Sequence, residues 1–215
     1  MAEPVKRVYN SPRRQEQAAA TRAHILDAAK RLFEQHGYSA TTMSAIAKEA
    51  GVALKTVYLA FESKSGVLRA LWNRTLRGDD EDVPVAAREW YREVLEEPDP
   101  ERQLRLNARN ARRVKERIGA LLETIRSASA GDPDVAALWE RIQNDFLENQ
   151  RAIIDSLAAR GALRPGLSAD EAADLLWTLN HPAIWGLLVG QRGWKPQRFE
   201  EWLADAFCSQ LLERA

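Results

Sequence analysis

Apolar residues recur at helical spacing along most of this chain, and glycine and proline punctuate the runs. A first amphipathic helix is expected from about Glu16 to His36, with Ile25, Leu26, Ala29, Leu32 and Phe33 on one face. Met43, Ile46, Ala47 and Ala50 repeat the spacing over a short second helix that stops at Gly51, a residue suited to a left-handed turn. A third short helix turns Val57 and Phe61 inward and leaves Lys55, Thr56 and Tyr58 outward. A small residue at Ala47, a glycine four positions on and a β-branched residue at Val57 predict a helix-turn-helix, because two helices cross closely only over a small contact residue and a tight turn. Ser63-Lys64-Ser65 then opens a fourth helix, whose stripe of Val67, Leu68, Leu71, Trp72 and Leu76 runs to Arg77.

Beyond residue 84 the same period continues. It predicts a short helix from Ala86 to Glu96 and a long run from Arg102 to Ala130, read equally well as one helix or two collinear ones. A helix from Asp134 to Arg160 follows. A capping-box pattern at Ser168–Glu171 starts another, expected to pass through Trp177, Ile184 and Leu188 to Gly190, and a last one holds Phe199 to Leu211. No alternating β-branched run and no Asn-Gly turn occurs, so the fold class is all-α: a three-helix head and a larger helical bundle. The divisions expected are a basic arm at 1–14, the head at 15–77 including its linking helix, and a body at 78–215.

Charge sharpens that division. The formal net charge is zero, yet residues 1–77 hold 13 Lys and Arg against 6 Asp and Glu, while the remainder holds 18 against 25. A head of +7 on a body of −7 suits a polyanion partner for the head, since local charge rather than the total attracts phosphate. The arm, with Lys6, Arg7, Arg13 and Arg14, reads either as a loose terminus or as a segment reaching into a minor groove. The acidic run at 79–82 lacks the spacing of a calcium loop and is expected to be a solvated loop.

Taken together, LDAAKRLFEQHGYSATTMSAIAKEAGV and KTVYLAFESKSGVLRALW resemble the DNA-binding head of the tetracycline-repressor-like (TetR) family of bacterial regulators. Helix-turn-helix units lay the second helix in the major groove with its first residues at the base edges. The candidates for base contact are therefore Leu54, Lys55 and Thr56, with lysine suited to guanine and a threonine methyl to thymine. Thr41 and Thr42 stand where a helix cap or a phosphate contact is wanted, and Tyr58 reads as a phosphate ligand or a half-buried strut. The resemblance implies a phosphate contact for Lys64. Ala53 departs from the family, which often has serine there, so no polar contact is expected from it.

The resemblance further implies a homodimer joined by its two final helices, an operator of double-stranded DNA and a small-molecule effector in the body. Six of the seven tryptophans lie beyond residue 77. Trp177, His181 and Trp185 are four apart and so expected on one face of a helix bent by Pro182, lining either a cavity or a dimer seam. With them the candidate pocket residues are Trp90, Asn110, Arg117, Leu121, Trp139 and Phe146, and Asn107 is a further polar candidate. No catalytic motif, metal-ligand spacing or cofactor loop is present, so neither an enzyme nor a cofactor is expected. The lone Cys208 reads as a core residue, and with neither a bilayer-length apolar run nor a secretory signal the expected location is cytoplasmic. The competing expectation is a helical small-molecule binding protein whose head has lost sequence-specific DNA recognition.

Overall fold

The computed structural model describes residues 12–77 and 85–213; most of the expected arm and the acidic loop lie outside them. The chain divides into two units, Met1–Leu71 and Trp72–Ala215. Helix α1 (Pro12–Ala40) supports the first unit, burying Ile25, Leu26, Ala28, Ala29 and Phe33. Regular geometry breaks at Gly37, whose φ of 75° only glycine adopts easily. The break lets Tyr38 fold under the helix, its ring 5.6 Å from that of Phe33. Arg13 and Arg14, expected in the arm, are instead helical.

Helix α2 (Met43–Glu49) is capped by Thr42, whose hydroxyl accepts from Ala45 N at 3.1 Å. Gly51, at φ 67°, turns the chain into α3 (Leu54–Phe61). Ala53 caps α3 without any side-chain bond, as its missing hydroxyl requires. The next corner is tighter. Glu62 takes a φ of 66°, and a Cβ added at Gly66 would stand 2.0 Å from the Phe61 carbonyl oxygen, so the turn into α4 (Lys64–Arg77) closes only over glycine.

The second unit begins within α4, and past residue 84 a 3-10 turn (Val85–Ala87) leads into α5 (Glu89–Glu96). Helix α6 (Pro100–Ala128) is continuous over 29 residues, which settles the choice between one helix and two. Asp99 and Asp132, each followed by proline, cap α6 and α7 (Pro133–Ala159), and Ser168 with Glu171 forms the expected capping box of α8 (Ala169–Leu179).

The bend expected at Pro182 is a full break. Helix α8 ends at Leu179, and His181 caps a separate short α9 (Pro182–Trp185), its Nδ1 accepting from Ala183 N at 3.2 Å. A proline at this position has no N–H to continue the ladder, so a new helix starts instead. A π-helical turn (Gly186–Gln191) leads to α10 (Pro196–Leu211), which packs chiefly along α6. The core of this unit gathers Leu104, Ile153, Leu157, Leu176, Phe199 and Phe207 among α6, α7, α8 and α10. No strand forms among the described residues; one isolated bridge joins Leu163 to Leu212.

Candidate DNA-contacting head and ligand cavity

Helix α3 is anchored by Val57 and Phe61, which are buried. Arg22 from α1 braces its end, donating to Ala60 O at 2.6 Å with its guanidinium 4.1 Å over the Phe61 ring. These anchors leave the opposite side open. Leu54, Lys55 and Tyr58 are exposed and Thr56 is half-buried. Leu59, which sequence reasoning passed over, is 77% exposed beside Tyr58. Its signal was its place four residues after Lys55, on the face away from Val57.

The two threonines separate. Thr42 is exposed, but Thr41 is 2% exposed and donates its hydroxyl to Gly37 O at 2.8 Å, so it is an internal strut and not a surface contact. A hydroxyl just past the Gly37 break satisfies a carbonyl that the interrupted helix leaves over. Lys64 is also tied inward, its Nζ donating to Tyr38 O at 2.8 Å and lying 4.1 Å over that ring.

Within the second unit lies a cavity of about 510 Å³. Trp72, Asn73 and Leu76 from α4, Trp90 and Tyr91 from α5, Phe146 from α7 and the face of α6 from Asn107 to Leu122 line it. Of the expected pocket residues, Trp90, Asn110 and Phe146 are in the wall, and so is Asn107. Arg117 is not; it lies outside the wall, exposed, and donates to Leu76 O at 2.8 Å near the end of α4. Leu121 is buried core, and Trp139 is half-buried off the wall.

The aromatic trio also departs from expectation, because the break at Asn180 points its members apart. Trp177 packs edge-on against His181 with ring centres 4.9 Å apart, whereas Trp185 meets Phe199 at 5.0 Å. None of the three is in the cavity wall. Burial, then the charge of Lys115, lowers the His181 pKa from its ordinary value.

Besides Asn107 and Asn110, the polar side of the cavity comes from Lys115, Gln150 and Asn180, which periodicity had assigned to no role. Lys115, on the α6 stripe between Ala111 and Ile118, is 5% exposed and donates to the amide oxygen of Asn180. Asn180 in turn donates to Gln150 Oε1 at 3.1 Å. Burial pulls Lys115 down to about 7. Asn110 donates to Trp90 O at 2.8 Å and Tyr91 to Asn149 O at 2.7 Å, while burial pushes the Tyr91 phenol up to about 12. Asn107 Nδ2 is buried without a partner. A lysine inside an apolar stripe was the available signal.

A helix-turn-helix head followed by an all-α body is an arrangement suited to a DNA-binding regulator. Residues 25–71 match the family of bacterial regulatory proteins called the tetR family. Over that segment the chain resembles the family, and the relatives it matches are DNA-binding transcriptional regulators, which supports a DNA-binding regulator here. It is 46% identical over 57 residues to the HTH-type transcriptional regulator AcrR of Shigella flexneri, a match covering 26% of each chain. To the regulator TtgR of Pseudomonas putida it is 29% identical over 167 residues, 75% of this chain and 77% of that one. The solved structure of NalD, described as the secondary repressor of the MexAB-OprM multidrug efflux pump in Pseudomonas aeruginosa, shares the fold at a TM-score of 0.73. That likeness covers 93% of this chain and 100% of NalD at 22% identity. These relatives are regulators and not enzymes. Among the described residues no helix is long and apolar enough to cross a membrane, and no group of side chains could hold a metal.

Proposed function

We propose that the protein is a repressor that binds a near-palindromic operator as a homodimer and releases it when a small apolar or aromatic effector fills the cavity of the body. The observation that carries this reading is the course of α4: its first turn is tied to Tyr38 in the head, and its last turns supply Trp72, Asn73 and Leu76 to the cavity wall. An occupant that displaces those turns acts on the helix that leaves the head. DNA and effector then oppose each other reciprocally, since each favours one of two states.

Leu54, Lys55, Thr56 and Tyr58 would meet base edges and backbone, and Leu59 adds an apolar contact suited to a thymine methyl. Thr42 stands at the start of α2, where the first amides favour a phosphate. A second copy would cover the groove that Leu175, Leu179, Trp202 and Ala206 form between α8 and α10. Two heads would then reach successive major grooves, about 34–36 Å apart. The repressor role follows the description of NalD.

The test is a footprint and an anisotropy titration on DNA flanking the gene, over a salt series, with and without compounds that fit the cavity. A protected, twofold-symmetric site whose affinity drops when a compound binds is expected. Salt-sensitive binding without any preferred site would favour a binding protein with a non-specific head, and unchanged affinity across compounds that do occupy the cavity would remove the switch.

A further inference from the structure

The cavity wall is apolar over Trp72, Trp90, Phe146 and Ile118, and one amine interrupts it. Lys115 is the single cation among the described residues lining the cavity, and it is almost wholly buried. Its hydrogen-bond partner is a neutral amide oxygen, and that amide continues to a second amide, Gln150. No described carboxylate is paired with it. Asp145 and Glu148 border the same cavity, but both are exposed on α7, where water already solvates them. A buried ammonium without a counter-charge is costly, and the cost is recovered when an anion arrives with the ligand. Asn107 adds a buried N–H that has no acceptor, so the wall offers a donor to spare.

Resting on the reading of the body as an effector site, we propose that the effector is an organic acid, with its anionic oxygen on the Lys115 ammonium and its apolar or aromatic frame against the tryptophans. The remaining titratable groups about this amine are Tyr91 from α5, Asp145 and Glu148 from α7, and His181 at the start of α9, while α10 presents the Phe199 ring 5.9 Å from Nζ. Because burial holds the free amine down at about 7, an acid bound above that pH must draw a proton in with it.

The test uses the full chain and matched probes of one frame: naphthaleneacetate, naphthaleneacetamide and naphthylethylamine, with decanoate and decanamide as a second pair. Binding is read by calorimetry and tryptophan fluorescence. The acid should bind at least about tenfold more tightly than its amide, and its affinity should fall by up to about tenfold per pH unit above neutrality while that of the amide stays flat. Lys115→Met should bind acid and amide alike, the retained amide binding showing that the cavity is intact; Lys115→Arg should keep the preference for acid. An amide or amine binding the native protein as tightly as the acid overturns the proposal and leaves the cavity reading standing, as does a Lys115→Met variant that still prefers the acid. Failure of every probe to bind overturns both.

Discussion

Replacing Lys115 by methionine should stabilise the body at neutral pH, and the size of the effect can be worked from its surroundings. The unfolded chain protonates this lysine below 10.5, whereas the folded one does so only below about 7. At roughly 1.4 kcal/mol per pKa unit, holding the amine in place costs about 5 kcal/mol at neutral pH. Methionine fills the same space without a charge but leaves the Asn180 amide oxygen without its donor, a loss of about 1–3 kcal/mol. The net gain is about 2–4 kcal/mol, or roughly 5–15 °C in Tm for a unit of this size. The sign depends on pH. A group whose folded pKa is depressed destabilises the fold wherever the unfolded state holds the extra proton, so native stability rises with pH between about 7 and 10.5 from this residue. Near pH 10 the penalty shrinks to about 1 kcal/mol, and the advantage of methionine should vanish or reverse. All seven tryptophans lie at residue 72 or beyond, so denaturant melts followed by tryptophan fluorescence report this unit alone. A variant less stable than the native protein at pH 7, or a difference that ignores pH, refutes the reasoning.

Gly66→Ala places a Cβ against the Phe61 carbonyl and should cost the head about 3 kcal/mol or more, abolishing DNA binding while the tryptophan melt of the body stays unchanged. Lys55→Ala should lose about 1–3 kcal/mol at one operator base pair and little elsewhere, read by titrating single-base operator variants. Asn107→Leu removes a buried donor that has no acceptor and should raise urea stability by about 1 kcal/mol in the absence of ligand; a loss of more than that would show that the amide is satisfied by water.

The helices of the head and body were legible because the 3.6-residue period is strong and caps such as Ser168–Glu171 are local signals. The outward face of α3 was legible for the same reason: with Val57 and Phe61 fixed inward, Lys55 and Tyr58 have one direction left. Thr41 was not, because whether a hydroxyl faces water or a spare carbonyl depends on how Gly37 redirects the chain. Trp90, Asn107, Asn110 and Phe146 were anticipated in the cavity wall, but the rest of it escaped for a related cause. Periodicity says which residues point inward but not where the inward side chains fail to meet, and it placed Trp177 and Trp185 on one face of a helix that Pro182 cuts in two. Lys115 stood in the stripe throughout, but a single polar residue there has no meaning until its neighbours are known.

Asn107 and Lys115 sit eight residues apart on one continuous helix and both line the cavity, which sets their separation at about 12 Å along its axis. Helix α6 is therefore a ruler. A molecule acidic at one end and bearing an acceptor at the other satisfies both groups only if its length matches that interval; shorter homologues leave one idle. Selection by length would then arise from backbone pitch, without any wall closing off the far end.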